Sequence, residues 1–252
     1  MVKTGTDIQF WYWLGITGII LLRYVAIAGA FYGYFYCWKK GAWAKNKLQP
    51  AFPGKRQIFL ELMYSLRTLL IYSAATWFFL DWLLSGKTMH YSEVETFGWG
   101  YLLGSFMGMV LLHDTYFYWT HRLMHHPGFY RWTHKTHHRF SNPTPWCAFS
   151  FHPLEALVSM GIIPLIVFFI PWHYYALVAF ITFMSLYDVY IHLGFRLPGS
   201  SRLHLNYTAE LHDLHHTGIH GNFGLYFTFW DRLMKTYIPK GKEVTDPRPA
   251  SI

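Results

Sequence analysis

The chain has 252 residues, 53% of them hydrophobic, 21% aromatic and only 13% charged, with a formal net charge of +8. Ordinary soluble domains carry about 25% charged residues, so this composition excludes that class and fits a membrane protein rich in interfacial Trp and Tyr. Six cations (Lys39, Lys40, Lys45, Lys47, Lys55 and Arg56) share one loop between apolar stretches with no acidic residue among them, which argues for a cytoplasmic loop beside anionic lipid and against nucleic-acid binding.

Residues 8–38 are mostly apolar with Arg23 their only charge, a run longer than the ~20 residues that cross hydrocarbon. A first span is expected within about 14–36, with Trp11, Tyr12 and Trp13 at the interface. The run is too long for the core of a cleavable leader and lacks a small-residue cleavage site, so it reads as a span. Arg23 takes a structural role there, paired or snorkelled toward the headgroups. The basic loop 39–56 follows, and Pro50 and Pro53-Gly54 break any helix in it. The second span is expected at Ile58–Leu84, with Glu61 and Arg67 near its basic end. Residues 85–96 are polar and suit the opposite side. A third span begins near Phe97 and runs on, without a breaker, into a histidine-rich stretch.

That stretch, His113 to His138, holds seven histidines in 26 residues, and 15 of the chain's 16 lie between His113 and His220. His121 and His125 are four apart, one turn apart on one helix face, and Asp114 two turns earlier shares that face. His113 is turned roughly 80° away and is the weaker partner. His134, His137 and His138 form an HxxHH group that returns as His212, His215 and His216. Neutral imidazole is a common ligand for iron, zinc and copper, and consecutive histidines diverge by roughly 100° on a helix. One HxxHH group can therefore serve two metals, His134 and His138 sharing a face while His137 points elsewhere. The grouping predicts a polyhistidine metal centre.

Residues 156–187 contain no Asp, Glu, Lys or Arg, but Pro164 and Pro171 interrupt them. Thirty-two residues fall short of the ~40 that two full spans require. His152 before the segment and His192 after it must reach the same centre, so a tilted or shallow hairpin turning near Phe169–Trp172 is expected. From Gly194 onward the polar sequence predicts a cap with no further span. Cys37 and Cys147 imply no disulfide framework. The fold class is thus all-α: a membrane helical bundle of three to four spans plus a hairpin, with a cytoplasmic helical cap holding a dimetal centre. Residues 1–96 form the N-terminal transmembrane region with its basic loop, 97–240 the histidine-bearing domain and 241–252 a tail.

The set HRLMH (121–125), HKTHH (134–138) and HDLHH (212–216), spaced around apolar helices, resembles the fatty acid hydroxylase/sterol desaturase superfamily over about residues 100–240. Asn142-Pro-Thr-Pro followed by Phe151-His-Pro-Leu-Glu155 is similar to the segment after the second box in sterol C5-desaturases. Asn222-Phe-Gly224 and Trp230-Asp-Arg-Leu233 resemble the family's closing signature. Two positions depart from the pattern: Lys235 stands where many members carry glycine, and Asp188 where fatty-acid 2-hydroxylases have a histidine.

The resemblance implies two iron ions, or zinc taken up on overexpression, with O2 as co-substrate. It implies the ligands His121, His125, His134, His137, His138, His192, His212, His215 and His216, with His152 a tenth or bonded through Glu155. Asp114, His113, Glu155, Asp188 and His220 are candidates for orienting those ligands, and for both His204 and His220 the alternatives are a surface or orienting role and ligation itself. His90 and His173 carry no metal role. Electrons come from an external donor such as cytochrome b5 or a ferredoxin with its reductase, because the chain has no dinucleotide motif and too few cysteines for a cluster. The expected activity is desaturation or hydroxylation of a lipid substrate in a bacterial inner membrane or the endoplasmic reticulum membrane, sterol C5-desaturase-like. The alternatives are a hydroxylase of a fatty acyl, sphingoid or carotenoid chain, and, outside enzymes, a zinc transporter or buffer. A transporter would place its ligands near the midplane of its spans.

Overall fold

A computed structural model describes residues 5–199, 206–218 and 220–239, and leaves His204 and the tail 241–252 outside the described residues. Its first helix, α1 (Gly5–Tyr32), runs on through a π-helical turn, Gly33–Trp38. Ile19, Leu22 and Val25 stand exposed along it, a face suited to lipid. A short turn, α2 (Lys40–Trp43), opens the basic loop, and α3 (Lys55–Leu84) starts directly after Pro53-Gly54. α3 packs antiparallel on α1. Gln9 Nε2 donates to Trp77 O (3.0 Å), Trp13 Nε1 donates to Ser73 O (2.7 Å), and the hydroxyls of Thr17 and Ser73 pair. The inward face of α3 is polar: Glu61, Ser65, Thr68, Ser73 and Thr76 are buried. Lipid tails are as apolar as leucine, so such interhelical hydrogen bonds and close packing specify the bundle.

α4 (Gly98–Met124) returns from the loop after α3 and is about 40 Å long. Two single turns follow, α5 (Pro127–Tyr130) and α6 (Lys135–His138). α3 then grips the next segment. Ser65 Oγ donates to Trp146 O (2.7 Å), Arg67 Nη2 to Phe151 O (2.6 Å), and Ser150 Oγ to Glu61 O (2.8 Å), while Thr144 Oγ1 bonds the Glu61 carboxylate. The hairpin comprises α7 (Pro153–Met160), α8 (Ile162–Phe169) and α9 (Tyr174–Ile191). α7 and α8 divide at Gly161, where any β-carbon would collide with the Tyr116 hydroxyl that bonds Val158 O. Two cap helices close the chain, α10 (Ala209–Gly218) and α11 (Phe229–Leu233). Among the described residues there are no strands, only isolated bridges.

Of the tilted and the shallow hairpin expected near Phe169–Trp172, the structure has the deeper one, which turns at residues 170–173. Met89 N–H donates to Val167 O (2.9 Å), Trp172 N–H to Met89 O (3.0 Å) and Tyr91 N–H to Trp172 O (3.0 Å), so its tip reaches the loop joining α3 to α4. The reason is economy of rise: 18 residues of α9 cover about 27 Å alone, and the break at Gly161 lets α7–α8 follow. Among the described residues, Thr6–Trp38, Lys55–Leu84 and Tyr174–Ile191 are long and apolar enough to cross a membrane. α4, the expected third span, falls short of that apolarity through its glycines and His113, Asp114 and the histidines beyond, yet it runs from the α3–α4 loop to the histidine end and keeps the place expected of it. α1 starts before the expected span, and Trp13 lies within the helix and bonds α3.

Candidate metal centre

The centre forms where four elements end. The last turn of α4 carries His121 and, as its C-cap, His125, with ring centroids 5.0 Å apart. His134 precedes the single turn α6, and the N–H groups of His137 and His138 both donate to its carbonyl. That turn sets His134 and His138 on one face, with centroids 4.7 Å apart, and sends His137 to another. α9 ends at His192, and α10 presents His212, His215 and His216.

Nine histidines sort into two groups. His121, His125, His134, His138 and His215 form one; His137, His192, His212 and His216 form the other. Within each group the donor nitrogens lie within 4.8 Å of one another. Consecutive residues thus separate as the helix step requires: His137 from His138, and His215 from His216.

The hydrogen bonds behind the rings decide what the nitrogens facing inward can do. Nδ1 of His121 donates to Phe223 O (2.9 Å), of His134 to a Glu155 oxygen (2.5 Å), of His192 to Asp188 O (2.7 Å) and of His215 to Gly221 O (2.8 Å). These acceptors hold the ring proton on Nδ1, so Nε2 turns its lone pair inward. Nε2 of His121 and Nε2 of His134 are 2.8 Å apart with no proton to share. In the other group, Nε2 of His192 lies 3.1 Å from that of His137 and 2.9 Å from that of His212, which is 3.0 Å from that of His216. Nitrogens on adjacent corners of an octahedron, each about 2.1 Å from a metal, are about 3.0 Å apart. The residues therefore fit two cations, one per group. Burial, and then the neighbouring imidazoles, hold His134, His137, His138, His212 and His216 well below the usual histidine range; burial also dominates at His215. All six rings are thus neutral at physiological pH, the form in which imidazole can bind a metal.

Several anticipated residues sit elsewhere. His152 joins neither group; its Nδ1 accepts Leu154 N–H and caps α7, because the chain turns outward before that helix starts. Glu155, expected to act through His152, reaches His134 instead. Asp114 does not face the metal side. Its Oδ1 accepts the N–H of Tyr226 (2.8 Å) and Phe227 (3.1 Å), and His113 pairs with the Tyr226 hydroxyl (2.8 Å). Asp188 contributes its backbone carbonyl, while His220 is exposed and outside both groups. His173 donates through Nε2 to Ser92 O (2.9 Å) at the far tip, and His90 packs on Trp172 there.

One support was missed. Asp231 is fully buried and accepts Phe223 N–H and Gly224 N–H (both 2.8 Å), holding the loop whose carbonyl receives His121. Asn222, at φ 57°, accepts Ile238 N–H in the same loop. The Asn-Phe-Gly and Trp-Asp-Arg segments were visible signals, but only the fold shows that one holds the other.

Among the described residues, then, an all-helical chain carries a paired polyhistidine centre at one end of an apolar bundle. A family model described as fatty acid hydroxylase matches residues 106–236, and the chain belongs to that family. It is 30% identical over 177 residues to a Delta(7)-sterol 5(6)-desaturase of Gibberella zeae, covering 70% of this chain and 55% of the relative. It is also 30% identical to lathosterol oxidase of Rattus norvegicus (71% of this chain, 60% of the relative) and 36% identical to methylsterol monooxygenase 1 of Danio rerio (55% and 48%). The chain spans about half the length of the curated relatives it matches. No solved structure matches it.

Proposed function

We propose that the chain is a membrane-bound di-iron oxidoreductase that uses O2 and external electrons to desaturate a sterol-like lipid. The observation that carries this is the spacing of inward Nε2 lone pairs in two adjoining groups, buried at the end of an apolar bundle. His121, His125, His134, His138 and His215 hold one ion and His137, His192, His212 and His216 the other. Bound there, the iron pair supplies the oxidising power to remove hydrogen from a saturated carbon. The protein does the rest: Glu155, Phe223 O, Gly221 O and Asp188 O fix the rings, and Phe117, Met124, Phe151 and Ile191 give the small cavity beside the histidines an apolar wall. Relatives named as sterol 5(6)-desaturases support desaturation. The similarity to a methylsterol monooxygenase favours hydroxylation as the second reading.

The basic loop packs at the same end as the histidines: Leu48 N–H donates to Gly194 O (3.0 Å), Lys47 Nζ to Asn142 Oδ1 (2.9 Å) and Gln49 Nε2 to Asp213 Oδ1 (2.7 Å). The positive-inside rule then assigns this end to the cytoplasm. The exposed Arg131, Lys135 and Arg139 beside α5 and α6 suit an acidic electron donor, such as cytochrome b5 or a ferredoxin served by a reductase. The test is conversion of a Δ7-sterol in membranes supplied with donor and reductase, with iron counted in the purified protein. About two equivalents of iron are expected, one for each group. His138→Ala should lose more than the ~10- to 100-fold of an orienting partner, while His173→Ala should keep nearly full activity. One equivalent of iron, unchanged by His212→Ala, would refute the pair.

A further inference from the structure

Asp188 lies one turn before the end of α9, and its backbone carbonyl anchors His192. Its side chain is only 9% exposed and borders the cavity that His121, His137, His192 and His212 also line. The carboxylate forms no hydrogen bond or ion pair with any described residue. Most of the cavity's other polar groups are engaged; Glu155 Oε2 and the Nδ1 atoms of His137 and His212 are the exceptions among the described residues. Tyr116 donates to Val158 O (2.6 Å), Thr120 to Tyr116 O (2.8 Å) and Ser159 to Glu155 O (2.7 Å), and a Glu155 oxygen takes His134. A buried carboxylate is costly unless a donor meets it, and no side chain here is turned to do so. The remaining wall is largely apolar. The enclosed space holds a group of about water size, such as the hydroxyl at the end of a lipid.

We propose that the Asp188 carboxylate accepts a hydrogen bond from a hydroxyl of the lipid substrate and so selects the carbon presented to the metal pair. The inference rests on the sterol reading above and deepens it. Side chains one helical turn apart have β-carbons about 5–6 Å apart, so a hydroxyl held by Asp188 lies close to the ions served by His192. The oxidised carbon is then only a few bonds from the carbon bearing the hydroxyl. A sterol meets this requirement, since its hydroxyl is on carbon 3 and carbon 5 is two bonds away. The hydroxyl proton stays on the lipid, and no bond is made or broken at Asp188.

The experiment compares a Δ7-sterol with its 3-deoxy hydrocarbon as substrates of the iron-loaded full chain in nanodiscs. Wild type should prefer the sterol by about 10- to 100-fold in kcat/KM. Asp188→Leu should abolish that preference while iron content stays at the wild-type level, and Asp188→Asn, whose amide keeps an acceptor oxygen, should retain part of it. A charge-balancing role would lower turnover of both lipids equally and leave the ratio intact, which overturns the proposal. So does loss of iron from both variants with a parallel fall on both substrates. If Asp188→Leu fails to accumulate, Asp188→Asn carries the test, and an undiminished preference refutes the anchor. Wild type that prefers the sterol while Asp188→Leu keeps that preference overturns the anchor alone. Wild type that converts neither lipid overturns the sterol reading and the anchor with it.

Discussion

At Lys235 the backbone sits at φ 58°, directly after α11, where Thr236 N–H donates to Asp231 O (2.8 Å) and Lys235 N–H to Arg232 O (3.3 Å). That is the helix ending in which a left-handed residue is usually glycine, because a β-carbon is strained there. The departure from the family pattern at this position therefore has a physical cost. Lys235→Gly should stabilise the protein by about 0.5–1 kcal/mol, seen as a higher Tm, despite the greater freedom glycine has when unfolded. An unchanged or lower Tm would count against the strain. At the centre, the contact between His134 and Glu155 turns one imidazole. Glu155→Gln keeps an acceptor oxygen but removes the charge, so iron affinity should fall by about 10- to 100-fold on chelator titration. The loss should fall on the group containing His134, with the other nearly unaffected.

The helices themselves were legible because their apolar runs are long and bounded by Pro, Gly and charge. The i, i+4 spacing of His121 and His125 and the divergence of His137 from His138 follow from helix geometry alone. The depth of the hairpin was not legible, since it depends on Met89 and Tyr91 pairing with residues 167 and 172, and no local pattern marks those partners. The same holds for His152: a histidine before a proline reads as a ligand when others crowd nearby, yet it serves as a helix cap. Trp172 now separates stability from chemistry. It is buried at the hairpin tip against Phe79 and His90, far along α9 from His192. Trp172→Ala should cost about 3–5 kcal/mol and lower the Tm, while iron content in the surviving folded protein stays unchanged. Loss of iron in step with Tm would mean that the two ends of α9 do not act separately.

Across the whole molecule, six deeply buried histidines with depressed affinity for protons make the metal-free protein sensitive to acid. Their folded values lie below the ordinary 6.5, so the unfolded chain takes up protons first as pH falls. Their contribution is complete above about pH 6.5 and drains away below it. Thermal unfolding from roughly pH 8 to pH 5 should show Tm falling in the chelated protein, and falling later in the loaded one, where protons compete with metal. A Tm independent of pH in the chelated protein would contradict this. The ligands are also unevenly distributed along the chain. Four of the five donors of one group lie between His121 and His138, whereas the other group has only His137 and His192 until α10 supplies His212 and His216. A nascent chain leaving the ribosome therefore offers four nitrogens for a first ion before α9 exists, and cannot complete the second site until α10 has emerged. For the proposed pair of ions, the order of translation would then set an order of metallation, with α10 completing the second site.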